Sequence, residues 1–388
     1  MTAVTAARVR LPAAGGEVST YTLAPRSPAH DFTGGPPTSR TVYAAAHVVA
    51  DAMSEGPGID WDATMAFRRY LWSLGLGVAD AMDTAQRGGG LDWRQAKELI
   101  ERTGAESQPE RGSVVFGAMT DQLPADRCPT LGDIIDAYVE QCGWIRRAGG
   151  TPVLMASRHL AKIGQNPEDY WTVYDAVLRQ VGGPAMLHWL GAAFDPLMVD
   201  YWGSRDLDIA TDVVLTIMRE HTDAIDGIKI SLLDQAREVD LRRRLPDGVR
   251  MFTGDDFHYD ELILGDEQGH SHALLGAFDA IAAPARAALA RLDAGDIDGY
   301  TEILWPTIPL ARHLFQAPTS AYKTGVVFLA YLNGHQDHFH MIGGAESFRS
   351  VPHLVRLFQL ADQAGAVADP GLAAHRMSQY LAVAGVEA

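Results

Sequence analysis

Eight short apolar runs alternate with helical patterns along most of this chain, and that alternation constrains its fold more than any single motif. The runs lie at Thr41–Val49, Gly77–Met82, Ser113–Met119, Pro152–Ala156, Ala185–Leu190, Ile225–Ile230, Val249–Thr253 and His270–Leu275. Between them the apolar spacing predicts helices near Trp61–Leu74, Trp93–Arg102, Leu131–Arg147, Pro167–Gln180, Ile209–His221, Asp234–Leu245 and Tyr259–Leu264. Strands separated by helices read as a parallel sheet. Eight is the closure number of the (β/α)8 barrel, with an eighth helix at Ala280–Leu292.

Beyond Gly295 only helical patterns remain, at Ile297–Phe315, Tyr322–Leu332, Pro352–Ala364 and Pro370–Val383. The expected architecture is an α/β TIM barrel over 41–295 and a C-terminal helical domain over 296–388. Residues 1–40, rich in Gly, Pro, Ala, Ser and Thr, read as an appendage with a hairpin signal at Glu17–Leu23. The competitor is an open doubly wound sheet, which would carry a Gly-rich phosphate loop after its first strand. That stretch, His47 to Glu55, has no G-x-G-x-x-G.

Helix ends support the pattern. Asp60 and Asp92 stand where N-caps stand, and Asn166 precedes Pro167 in a first-turn arrangement. Gly75, Gly104 and Gly149 sit where glycines end helices. In the third helix Ile134, Ile135, Tyr138, Val139, Cys142 and Ile145 share one face.

Charge and composition then exclude whole classes of function. With 32 basic against 49 acidic residues the net charge is -17, which argues against a nucleic-acid partner and an anionic membrane face. Cys128 and Cys142 are the only cysteines and form no C-x-x-C pair, so neither a disulfide scaffold nor a cysteine zinc site is expected. No signal-peptide core and no run of about 18 apolar residues is found, and a cytosolic location is the expectation. Lysine is rare: Lys97, Lys162, Lys229 and Lys323 are the only four, leaving 28 arginines. A lysine inside an apolar strand therefore stands out.

Chemistry in a barrel gathers at the C-terminal ends of the strands. Lys229 lies between Ile228 and Ile230 on the sixth run and points opposite to both. Burial lowers an amine's basicity, and a neutral amine is what Schiff-base chemistry requires. The plainer alternative is a lysine paired with a carboxylate such as Asp255. Asp255 and Asp256 follow a glycine; they suit acid–base or metal work, or a turn that caps the next helix. His47, His159, His188, His258, His270 and His272 lie near the predicted strand ends with Asp51, Asp83 and Asp255, a set that a metal-dependent barrel could use. The cluster at His335, His338 and His340 lacks H-E-x-x-H spacing and reads as a loop.

These residues resemble the dihydrodipicolinate synthase / N-acetylneuraminate lyase family of class I aldolases, and more narrowly its dihydrodipicolinate synthase-like branch. The likeness runs from about Thr41 onward. It is carried by Gly58-Ile-Asp60, Gly75-Leu-Gly77, Gly227-Ile-Lys229, Thr253-Gly-Asp-Asp256, and the C-terminal helices with Pro318, Lys323 and Gly334. The resemblance implies that Lys229 forms a Schiff base with a carbonyl substrate. Two departures stand out. Where the family has Gly-Thr-Thr-Gly-Glu to bind a 2-keto-acid carboxylate, this chain reads Asp83-Thr84-Ala85-Gln86-Arg87. Where the family places a relay tyrosine, this chain has His188.

The expectation is a Schiff-base aldolase or lyase acting on a small keto acid or keto-sugar. Lys229 and His188 are the expected catalytic pair. Thr84, Gln86, Arg87, His47, Asp83, Thr253, Asp255 and His272 are the expected substrate contacts. No cofactor and no metal is expected. The partners expected are a small carbonyl compound and further copies of the chain, as a dimer or tetramer. A metal-dependent sugar isomerase or hydrolase, and a non-catalytic sugar-binding barrel, are the alternatives.

Overall fold

A computed structural model describes residues 6–13, 17–107, 113–124, 126 and 128–386. Its strands are β1 Arg8–Pro12, β2 Val18–Thr22, β3 Val42–Ala45, β4 Gly77–Asp80, β5 Val114–Ala118, β6 Thr151–Leu154, β7 Ala185–Leu190, β8 Ile225–Ser231, β9 Arg250–Thr253 and β10 His272–Leu275. Its α-helices are α1 Trp61–Ser73, α2 Trp93–Glu106, α3 Leu131–Arg147, α4 Arg158–Ile163, α5 Pro167–Leu178, α6 Leu207–Glu220, α7 Gln235–Arg244, α8 Tyr259–Leu264, α9 Ala277–Ala280, α10 Ala282–Asp293, α11 Ile297–Leu304, α12 Ile308–Leu314, α13 Tyr322–Leu332, α14 Val351–Gln363 and α15 Pro370–Val383.

Strands β3 to β10 form a closed barrel in which each runs parallel to the next and β10 returns to β3. The apolar runs become strands because every one is buried on both faces, as parallel strands are. Tyr43, Ala45, Ala79, Val115, Val153, Met155, Met186, Phe252 and Leu274 pack together as one interior cluster. Asp60 caps α1 by accepting from Ala63 N, and Asp92 and Thr130 each close a capping box. Gly104 departs from the expectation: α2 continues to Glu106, and a Cβ at 104 would lie 2.4 Å from Ala148 O, so the residue serves close packing instead of ending the helix.

The chain divides into two compact units. One holds residues 40–46 and 76–276, which include the whole barrel and α2 to α8. The other holds the chain up to Ser39, residues 47–75, and everything from Ala277 onward. In this second unit β1 and β2 form an antiparallel hairpin, and the N-terminal segment is tied to later helices. Tyr21 Oη donates to Asp362 at 2.7 Å, and Ala24 N donates to the same carboxylate. Ser39 Oγ donates to Asp293 at 2.6 Å, and Arg286 Nη2 to Gly35 O at 2.7 Å. Among the described residues no helix is long and apolar enough to cross a membrane.

Candidate active site

Alternation along β8 decides what its side chains meet. Ile228 and Ile230 are buried on one face, and Gly227, Lys229 and Ser231 share the other. The second face looks into the barrel. Its register partners Met186, opposite Gly227, and Phe252, opposite Lys229, both belong to the interior cluster. Lys229 is thus a half-buried amine whose stem lies against the apolar interior. Burial lowers its basicity below the ordinary lysine value, while the negative charges of Asp256 and then Asp83 oppose that shift.

His188 stands beside it on β7, in register with Lys229 and fully enclosed. Burial first, and the Lys229 charge second, hold its basicity well below the ordinary histidine value, so the ring is neutral. His188 Nε2 lies 3.3 Å from Ser231 Oγ, and Nδ1 is buried without a hydrogen-bond partner among the described residues. An unmatched buried polar atom costs about 1–3 kcal/mol.

Gly254 makes room for this arrangement. A Cβ there would lie 2.6 Å from Lys229 Cε and 2.2 Å from Ser231 Oγ. The lysine stem and the serine hydroxyl therefore flank the same glycine. Its N–H donates to Ile230 O at 2.8 Å, which holds the backbone close to β8.

The other side of the barrel is built differently. After β4 the chain makes a short turn at Asp83–Ala85, and Gln86 takes a left-handed conformation with φ 61°. Thr84 and Gln86 are buried in this turn, and Gln86 Nε2 reaches Gly89 O at 3.4 Å. Arg87 follows, fully buried, and every one of its N–H groups is used. Nε and Nη2 form a paired contact with Asp121 at 2.6 and 2.7 Å, and Nη2 also donates to Gln141 Oε1 at 2.8 Å. Nη1 donates to the carbonyls of Ala81 and Gly117 at 3.3 and 3.2 Å. Burial works to raise the Asp121 carboxyl, but the Arg87 contact together with the Gln141 and backbone hydrogen bonds holds the group below its ordinary value. Gln141 in turn donates to Asp121 at 2.9 Å and accepts from Met119 N at 2.7 Å.

Several expected substrate contacts are corrected by their placement. Arg87 has no donor left for a ligand. Thr253 faces away from the barrel interior: Oγ1 donates to Glu238 Oε2 on α7 at 3.0 Å. His272 opens β10 and does not close it, so it stands at the N-terminal edge of the barrel. There its Nδ1 accepts from Thr41 N at 2.9 Å, and burial with neighbouring cations lowers its pKa to about 3. Asp255 organises the turn after β9, accepting from Phe257 N at 2.8 Å and pairing with His258 Nδ1 at 2.9 Å.

His47 lies in the second unit, fully buried, where Asp279 accepts from its backbone N–H and its Nδ1, both at 2.8 Å. Among the described residues its Nε2 has no hydrogen-bond partner. Lys229 and His188 are thus brought together, with Asp83 acting on the lysine through charge. Ser231 and Gly254 join them unannounced by the sequence reading. Among the described residues no three His, Cys, Asp or Glu side chains gather as a metal site.

Over residues 9–386 the chain matches the family described as protein of unknown function DUF993, and it belongs to that family. No curated protein sequence matches it. Its fold is similar to those of solved dihydrodipicolinate synthase structures. YagE, a prophage protein of the dihydrodipicolinic acid synthase family from E. coli K12 solved in complex with pyruvate, is 15% identical with a TM-score of 0.66. The match covers 84% of this chain and 98% of that one. Dihydrodipicolinate synthase from Oceanobacillus iheyensis is 14% identical with a TM-score of 0.64, covering 83% and 95%. The Thermotoga maritima enzyme is 12% identical with a TM-score of 0.64, covering 85% and 100%.

Proposed function

With that family and that fold as the premise, we propose that the chain is a class I aldolase or lyase of dihydrodipicolinate synthase-like type. The observation that carries this reading is a half-buried lysine of lowered basicity, held beside a neutral histidine in the barrel interior. The neutral amine of Lys229 adds to a substrate carbonyl, and loss of water gives an iminium. The iminium draws electron density from the neighbouring carbon, which allows C–C cleavage, C–C formation or dehydration. His188 moves the protons of these steps.

The substrate class follows from the turn after β4. Arg87 is committed to Asp121, Gln141 and two carbonyls, so it supplies no clamp for a 2-keto-acid carboxylate. A polyhydroxylated carbonyl compound of the keto-sugar type fits this turn better. On this reading Thr84, Gln86 and Asp83 contact its hydroxyls.

Borohydride trapping tests both parts. The protein is incubated with pyruvate, dihydroxyacetone or longer ketoses, reduced, digested and analysed by mass spectrometry. The expected result is a reduced adduct on Lys229 with the hydroxylated ketones, absent from Lys229→Ala. Saturable trapping by pyruvate at lower concentration than any ketose would overturn the substrate class. No adduct with any probe would overturn the mechanism.

A further inference from the structure

Ser231 sits two residues beyond Lys229, on the same face of the same strand. Its hydroxyl reaches back to His188, and it shares with the lysine stem the space that Gly254 leaves open. Among the described residues the His188 ring has no other hydrogen-bond partner: one nitrogen meets Ser231 and the other has none. Among the described residues the serine is therefore the only hydrogen-bonding partner of the ring, and the one group that can decide which nitrogen carries the proton.

Resting on the Schiff-base reading above, we propose that Ser231 is a positioning residue that fixes the tautomer of His188 and couples that ring to Lys229. The amine aims its lone pair at the substrate carbonyl and keeps its N–H donors for its surroundings, so a hydroxyl beside it turns its lone pairs toward the lysine and its proton away from it. Ser231 Oγ–H then donates to His188 Nε2, and the ring proton resides on Nδ1.

This arrangement gives the first chemical step a balanced path. The Lys229 nitrogen pair forms the C–N bond, and the C=O π pair moves to oxygen. The nitrogen, now positive, loses a proton to Ser231 as Ser231 passes its own proton to Nε2. The imidazolium so formed returns that proton by the same route to the former carbonyl oxygen. A neutral carbinolamine results with no net proton gained or lost. Departure of its hydroxyl as water takes one further proton from solvent and leaves the iminium.

Two measurements on the whole chain test the proposal. Long-range proton–nitrogen NMR of histidine-labelled protein reads the tautomer directly. The expected result is a single Nδ1–H tautomer for His188, becoming a mixture in Ser231→Ala. An Nε2–H tautomer, or a ring unchanged by the substitution, would overturn the proposal whether or not any substrate is in hand.

The second measurement is the rate at which dihydroxyacetone becomes trappable on Lys229, followed against pH. Ser231→Ala is expected to slow this at least tenfold and alter the shape of the pH profile, while the amount trapped after long incubation stays as in the unsubstituted protein. Ser231→Thr, which keeps the hydroxyl, is expected to recover part of the rate. Equal rates and profiles in Ser231→Ala would overturn the relay while leaving the Schiff base standing. Absence of any Lys229 adduct in the unsubstituted protein would overturn both.

Discussion

Two sides of one barrel carry their charged groups in opposite ways. At the β4–β5 side Arg87 spends all of its donors on Asp121, Gln141 and two backbone carbonyls, and Gln141 closes the ring by binding Asp121 in turn. At the β7–β8 side a half-buried lysine feels two carboxylates, a histidine keeps one nitrogen unmatched, and a glycine clears space instead of filling it. A saturated network holds shape; a network with open valences has work left to do. Buried charge alone does not mark an active site. Buried charge with unspent hydrogen-bonding capacity does so far better.

The sharpest way to break this contrast is Gly254→Ala. The new methyl would overlap both Lys229 Cε and Ser231 Oγ. Adduct formation on Lys229 should fall by roughly a hundredfold or more, while overpacking costs about 1–3 kcal/mol of stability. Urea unfolding and borohydride trapping on the same preparation separate the two effects. An active Gly254→Ala would mean that the site does not depend on that space.

Arg87→Ala should do the reverse. Removing one partner of a buried pair costs about 3–5 kcal/mol, so its unfolding midpoint should drop well below that of the unsubstituted protein. Trapping kinetics of the fraction still folded should be close to normal. A stable Arg87→Ala protein with a raised KM would place Arg87 at the substrate after all.

The charges around Lys229 give a finer test. Asp256 and Asp83 both raise its basicity against the effect of burial. Replacing either by Asn should move the pH midpoint of trapping downward, more for Asp256→Asn than for Asp83→Asn. An upward shift in either would contradict the electrostatic account.

The smallest effect concerns the support behind β9. Glu238 is buried, accepts from Thr253 and Ser271, and has its pKa raised by burial to about 8. A carboxyl raised in the folded state binds its proton more tightly there than in the unfolded chain. Its contribution is fully present below the ordinary carboxyl value of 4.5 and is lost as pH rises through about 8. Glu238→Gln should therefore gain thermal stability relative to the unsubstituted protein as pH rises from 5 to 9, by a few degrees at most. Parallel melting curves across that range would refute the assignment.

The fold was legible in the sequence because a parallel strand buried on both faces is an uninterrupted apolar run. β7 and α3 match their expected spans, Ala185–Leu190 and Leu131–Arg147. Errors arise where hydrophobicity outlasts hydrogen bonding. The first run continues to Val49, but the ladder ends at Ala45, with Ala46 N still reaching Ala79 O before the chain turns. α4 went unseen because six residues directly after a strand are too short to show a period. Likewise His270 and Ser271 lie on the approach to β10, where Ser271 N bonds Leu262 O, which carries His272 to the wrong end of the strand for catalysis.

Lys229 was visible through rarity and alternation. The commitment of Arg87 was not, because Asp121 and Gln141 stand 34 and 54 residues away. Nor was that of Thr253, whose partner lies on a helix 15 residues earlier. Ser231 could have been found: the period of two that turned attention to Lys229 places the serine on the same face.

The ties between the N-terminal segment and the later helices bear on how the protein is made. Ala24 and Tyr21 bind Asp362, separated from it by 338 and 341 positions. A ribosome delivers the first of these partners long before the second. The barrel strands are all available once residue 275 has emerged, whereas the hairpin and the stretch that follows must wait for nearly the whole chain. Biosynthesis thus imposes an order on assembly: the barrel unit can close early, and the unit that joins the two ends of the chain is completed last. Nascent chains stalled once residue 275 has left the ribosome should hold a protease-resistant barrel and a cleavable leading segment, which becomes protected only when Asp362 has emerged as well.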